Sequence, residues 1–180
     1  MALKPTIYKA NVVLSDLDRD YYDQLDLTIA QHPSETRERM MVRLIAYCLN
    51  AGEGIDFTSG LSTPNEPDIA ITSLDGQIRA WIDVGEPSFD RIKKACGRAG
   101  LVRVYSFNSK STVWWEKEGA SFANLHAEFF RLSWAQVQAV GELVERTMSL
   151  SVTISGNSVL LSAPDSSVEV PIEMLQSTSA

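Results

Sequence analysis

The sequence predicts an α/β fold with antiparallel β segments at both ends. Three observations carry this. Residues 68–107 read strand, turn, strand, helix, strand, and a strand–helix–strand succession is the mark of a parallel crossover. Residues 6–30 and 149–172 alternate apolar and polar, as half-buried antiparallel strands do. The length is 180 residues with 44% apolar, which suits one domain with an ordinary core. The expected organisation is a single domain over 1–180, with a core at about 34–130 in the order helix–β–β–β–helix–β.

Taken in order, Thr6 to Leu14 places Tyr8, Ala10, Val12 and Leu14 on one side. The run Ser15 to Asp20 turns the chain, and Leu25, Leu27 and Ile29 alternate on the return. Ser34 is the expected N-cap of the first helix, with Glu35 matched to its dipole. Its stripe is Met41, Leu44, Ile45 and Cys48, and Asn50-Ala51-Gly52 ends it. Ile55 to Thr58 is a short strand. After the central hairpin, Pro87-Ser88 opens a helix with a narrow stripe of Ile92, Ala95, Cys96 and Ala99, stopped by Gly100. Leu101 to Phe107 is the next strand, and Ser109 to Glu118 a helix closed by Gly119. Phe122 to Phe130 is another strand, and Ser133-Trp134-Ala135-Gln136 is a capping box for a helix to about Arg146. Strands follow at Leu150 to Ser155, Val159 to Ser162 and Val168 to Ile172, before a frayed tail from Gln176 to Ala180.

Composition excludes several classes. No stretch is long and apolar enough to span a membrane, and Met1 to Pro5 does not read as a signal peptide. Cys48 and Cys96 sit among apolar neighbours and read as buried free thiols, so the expected location is the cytoplasm. A net charge of −7 argues against a protein that coats nucleic acid, although a few phosphate contacts through a local patch remain compatible with it. There is no Gly-rich phosphate loop, no Cys/His zinc spacing and no serine elbow.

The chemical signal is the central hairpin. Asp75-Gly76 reads as a two-residue turn with both residues at positive φ. Counting from Leu74 opposite Gln77 sets Ile71 opposite Ala80 and Asp68 opposite Asp83. Like charges facing each other on a sheet repel, so the pair calls for a cation between them. Mg²⁺ or Mn²⁺ is the candidate, because such ions take one or two carboxylates plus water and phosphate. Glu38 shares the Met41/Ile45 face and is the first choice for an additional ligand, with Glu35 one turn earlier.

The order of elements, with Pro67-Asp68 opening one strand and Asp83 near the close of the next, resembles the PD-(D/E)XK nuclease superfamily over roughly 34–107. The segments His32-Pro33-Ser34-Glu35-Thr36, Glu38-Arg39-Met40, Trp81-Ile82-Asp83-Val84-Gly85, Arg91-Ile92-Lys93-Lys94-Ala95 and Glu145-Arg146-Thr147-Met148 are similar to the YaeQ family from end to end. The resemblance implies a restriction-endonuclease-like core with a metal site at Asp68 and Asp83, and no firmly established activity. It also implies a lysine two residues beyond the second acid. Position 85 is glycine instead. The basic group would then come from the following helix, from Lys94 or Arg91. Arg91 is better placed on the helical wheel and would act on phosphoryl charge rather than as a base.

Two functional readings follow. One is a Mg²⁺- or Mn²⁺-dependent phosphodiesterase acting on nucleic acid through Asp68, Asp83, Glu38 or Glu35, and Lys94 or Arg91. The other is a catalytically degenerate nuclease fold that serves as a binding or regulatory module, with a protein as its partner. Plainer readings stand beside them: Pro67-Asp68 as a strand opening, Lys93, Lys94 and Arg98 as a solvated face, Glu35 as a dipole-matched residue, and His32, His126 and Trp114-Trp115 as structural residues.

Overall fold

A computed structural model describes residues 4–59 and 63–178. A hairpin opens the chain: β1 (Thr6–Asp16) and β2 (Tyr21–Gln31), antiparallel throughout. Asp16 holds its turn by accepting from the amides of Asp18 and Arg19, both at 3.1 Å. Helix α1 (Arg37–Leu49) follows. Its N-cap is Thr36, whose hydroxyl accepts from Arg39 N at 3.1 Å, not Ser34 as the sequence suggests. Ser34 is taken up by a local turn in which its hydroxyl meets His32 Nδ1 at 2.7 Å. The stretch β3 (Ile55–Phe57), β4 (Ile69–Thr72), β5 (Ile78–Val84), α2 (Phe89–Arg98) and β6 (Leu101–Ser106) then builds the middle of the molecule. After it come α3 (Ser111–Phe122), β7 (Glu128–Leu132), α4 (Trp134–Gly141), β8 (Thr147–Ser155), β9 (Ser158–Ser162) and β10 (Ser167–Gln176).

The ten strands form one mixed sheet in the order β2-β1-β8-β9-β10-β7-β6-β5-β4-β3. β5, β6 and β7 run parallel, as their intervening helices require, and β1 pairs β8 in parallel. The sheet wraps α1, which touches β2 and β3 at its two edges as well as β5 and α4. This explains why α1 is buried on nearly every side: Met40, Val42 and Ala46 are as inaccessible as the expected stripe. A second apolar cluster lies on the outer face, where Ile92, Ala95 and Phe122 of α2 and α3 cover Trp81, Val102, Val104 and Phe129.

Four further boundaries differ from expectation. Gly119 does not stop α3; a Cβ there would stand 2.9 Å from the Trp115 ring, so glycine is the seat on which that ring packs. The helix therefore continues to Phe122, and the next strand starts at Glu128 rather than Phe122. Ser133 caps α4 without a side-chain hydrogen bond, and α4 ends at Gly141 rather than near Arg146. The tail is tied down at Gln176, whose amide donates to Phe122 O at 2.9 Å and Ala127 O at 3.0 Å; Ser179 and Ala180 of the expected frayed tail lie outside the described residues.

The central hairpin reaches the expected register by another route. Ser73 O accepts from Gly76 N, and Ser73 N donates to Gln77 O, both at 2.9 Å. Only Gly76 has positive φ, at 85°, so the loop is Leu74-Asp75-Gly76 with a glycine in the left-handed position. A bulge between Ile71 and Thr72 restores the count, and Ile71 pairs Ala80 and Ile69 pairs Ile82.

A candidate cleft of paired aspartates and arginines

Continuing that register beyond Ile69 and Ile82 places Asp68 opposite Asp83, both buried at the end of the β4–β5 ladder. Each carboxylate accepts a backbone N–H from the other strand: Val84 N donates to Asp68 Oδ2 at 2.8 Å, and Asp68 N to Asp83 Oδ1 at 3.3 Å. Two guanidiniums balance the charges. Arg39 Nη2 from α1 lies 2.8 Å from Asp68 Oδ1 and also donates to Val84 O at 3.2 Å. Arg91 from α2 grips Asp83 with both prongs, Nε to Oδ2 at 2.7 Å and Nη2 to Oδ1 at 3.1 Å. That bidentate fork is the strong form of the pair. The cation demanded by the facing aspartates is thus supplied by the chain itself.

The network runs on in both directions. Arg39 Nη1 pairs Glu35 Oε2 at 2.6 Å, and Arg43 pairs both oxygens of the same carboxylate, at 2.7 and 2.8 Å. Arg91 also donates to Pro64 O at 2.5 Å and Glu66 O at 2.7 Å, and Arg98 donates to Asn65 O, so 63–67 is clipped against α2. Both arginines lie over the Trp81 ring, at 5.5 and 5.3 Å from its centroid. The indole Nε1 is buried without a hydrogen-bond partner among the described residues, yet its N–H dipole favours the ionised Asp83.

Burial pushes the Asp83 carboxyl above the usual aspartate range; Arg91 opposes the shift and the Asp68 charge adds to it. Burial alone would lower the Arg39 pKa, but the Asp68 and Glu35 charges outweigh it and raise it. Arg91 is raised against burial in the same way, first by its bond to Asp83.

The structure brings Asp68, Asp83 and Arg91 together. It leaves Lys94 exposed on α2. It turns Glu38 toward α4, where a Cβ on Gly141 would stand 3.3 Å from Glu38 Cγ and Oε1. The expectation that Glu38 faces the aspartates is corrected: α4 covers that side of α1. Glu35 lies nearer but reaches Asp68 only through Arg39. Sequence reasoning does not single out Arg39 or Arg43; the available signal is their spacing four and eight residues after Glu35, one line along a helix. The absent lysine has a backbone cause. Gly85 has φ of 122° and donates to Tyr105 O at 2.9 Å, a conformation in which a side chain is strained.

These groups line a cleft of about 460 Å³ together with Glu86, Phe107 and Asn108. Glu86 accepts from Ser106 Oγ at 2.9 Å and Phe107 N at 3.2 Å, and has no cationic partner among the described residues. The donor set does not fit a divalent ion as it stands. Asp83 spends both oxygens on Arg91, Asp68 spends its own on Arg39 and Val84, and no cluster of three His, Cys, Asp or Glu poised for a metal occurs among the described residues. No helix among those residues is long and apolar enough to cross a membrane.

Comparison with known proteins places this geometry in a family. Relatives from Salmonella typhi and from Escherichia coli (strain K12), each named "Uncharacterized protein YaeQ", are 40% identical over 183 aligned positions that cover 99% of this chain and all of theirs. The crystal structure of the YaeQ protein from Xanthomonas axonopodis pv. citri superposes with a TM-score of 0.92 at 35% identity, covering 96% of this chain and 99% of that one. That of the YaeQ protein from Pseudomonas syringae gives 0.91 at 33% identity, covering 96% of each. The family described as "YaeQ protein" matches residues 1–172, and the chain belongs to the YaeQ family.

Proposed function

We propose that this chain is a catalytically degenerate relative of the PD-(D/E)XK nucleases, with a restriction-endonuclease-like core used as a binding module. The observation that carries the reading is the bidentate Arg91–Asp83 pair beside the Arg39–Asp68 pair, with Gly85 where the superfamily places its lysine. A charged pair of this kind is a fixed structural element, because removing either partner leaves a buried charge uncompensated. Glu86, which has no cationic partner among the described residues, and the net charge of −7 suit a partner that presents a basic or donor group. The partner we infer is a protein segment rather than a phosphate backbone.

The convergence of Asp68 and Asp83 is the specific observation that favours the second reading, a Mg²⁺- or Mn²⁺-dependent phosphodiesterase. Three measurements separate the two. Calorimetric titration with MnCl₂ should show no binding at the cleft, and purified protein should leave single- and double-stranded DNA and RNA intact with either metal. In amide-detected NMR, a short oligolysine should shift Gly85, Glu86 and Asn108, while an oligothymidylate should not. Metal-dependent cleavage that Asp83→Ala abolishes would establish the phosphodiesterase and remove the binding-module reading.

A further inference from the structure

Strand β10 changes partners along its length. Ser167 to Pro171 pairs with β9, and Ile172 to Gln176 pairs with β7. Pro171 sits at the exchange, where its missing N–H costs no ladder bond. Beyond it β7 and β9 are not joined, and a bulge between Met174 and Gln176 bends the strand further. The gap forms a cavity of about 300 Å³ at the C-terminal end of α1, the end opposite Arg39. A helix of 13 residues separates the two ends by about 20 Å.

The floor of this cavity is apolar: Leu49, Phe130, Ile172 and Met174, with Met174 54% exposed. Polar groups converge on one side. Arg103 donates through Nε to Glu128 at 3.2 Å and through Nη1 to Asn50 Oδ1, which leaves Nη2 without an acceptor among the described residues. Tyr105 is 3% exposed, lines the cavity and accepts from Asn50 Nδ2 at 3.0 Å; its own hydroxyl proton has no acceptor among the described residues. Arg19 stands opposite, held by Asp16 at 2.6 Å and by Ala51 O at 2.8 Å. The acids at the rim are engaged: Asp16 by Arg19 and its own turn, Asp18 by Gly156 N at 2.9 Å. A buried O–H and a guanidinium edge are therefore left to serve an acceptor on the ligand, over an apolar floor. That is the make-up of a small-molecule site.

We propose that this cavity binds a small organic monocarboxylate, with its apolar body on Phe130 and Met174 and its carboxylate on Arg103 Nη2 and the Tyr105 hydroxyl. This site is separate from the aspartate–arginine cleft and does not depend on how that cleft functions.

The test uses the full chain with cinnamate and its uncharged counterpart, cinnamyl alcohol, followed by amide-detected NMR. Cinnamate should shift Phe130, Gly156, Asn157 and Ile172 saturably, and bind about tenfold more tightly than the alcohol, the worth of one charge-assisted hydrogen bond. Arg103→Gln should bring the two affinities together. Met174→Trp, which fills the cavity from an exposed position, should abolish both sets of shifts while leaving the melting curve in place. Asp83→Asn should leave the cinnamate titration unchanged. Equal affinity for acid and alcohol, or no shifts at these amides up to the solubility of cinnamate, would overturn the proposal. So would shifts at these amides that follow protein concentration alone, since a second copy would then be the occupant.

Discussion

Burial and the charge of Asp68 both press Asp83 toward its neutral form, while Arg91 and the Trp81 N–H hold it ionised. The balance leaves its pKa above the ordinary aspartate value of 3.8. A carboxyl with a raised folded-state pKa holds its proton more tightly in the folded protein. Its contribution to stability is therefore complete below 3.8 and is lost as pH rises through the folded value. Asp83→Asn removes that titration. Urea melts at a series of pH values should show the variant gaining on the wild type as pH rises from about 3.8, then a constant difference above the folded pKa. A difference flat across the series would mean that burial does not dominate at this residue. Asp68 and Asp83 oppose each other as the sequence predicts, but by compensation: the loop is one residue longer than the Asp75-Gly76 turn, and the bulge between Ile71 and Thr72 restores the count. The arginines were less legible in the sequence. Arg91 lies on the next element and the wheel favoured it, but Arg39 arrives from α1, and only the tertiary path of that helix brings it there.

At the scale of elements, helix starts and glycines show how local rules were overridden. The sequence points to Ser34 as the cap, but the His32–Ser34 turn takes up that hydroxyl and Thr36 caps the helix instead. Thr36→Ala should lower stability by about 1 kcal/mol, the usual worth of an N-cap hydroxyl, while Ser34→Ala should cost far less. Chemical denaturation of the two variants checks this, and the reverse order would return the cap to Ser34. The choice between Glu35 and Glu38 failed to resolve from sequence for a related reason. A helical wheel assumes one buried face, whereas α1 is enclosed by the sheet and by α4, so the wheel had no solvent side to use as a reference. Gly119 misled in the same manner: glycine marks a helix end by default, but here the Trp115 ring occupies the space a Cβ would need.

At the scale of the molecule, the alternating segments at the two ends were legible as strands, but not their union. Lys9 pairs with Thr147 and Asp16 with Ile154, and nothing local specifies partners so far apart in sequence. The sequence suggests a core with β additions; the structure makes the additions half of one sheet, joined to β7 through β10 alone. Val170, fully buried within β10, and the Gln176 amide on the α3–β7 turn secure that joint. Without β10, β7 and β9 would both become open edges, and α4, which packs on β10 and covers one side of α1, would lose its seat. A chain ending at Asp165 should therefore fail to melt cooperatively and should lose the dispersed amide signals of Asp83 and Arg91, although the cleft lies on other strands. Circular dichroism and NMR of that truncation decide the matter. A cooperative melt with the cleft signals intact would show that the terminal strands are appendages to a self-sufficient core, and that the half-closed sheet is not what holds α1 in place.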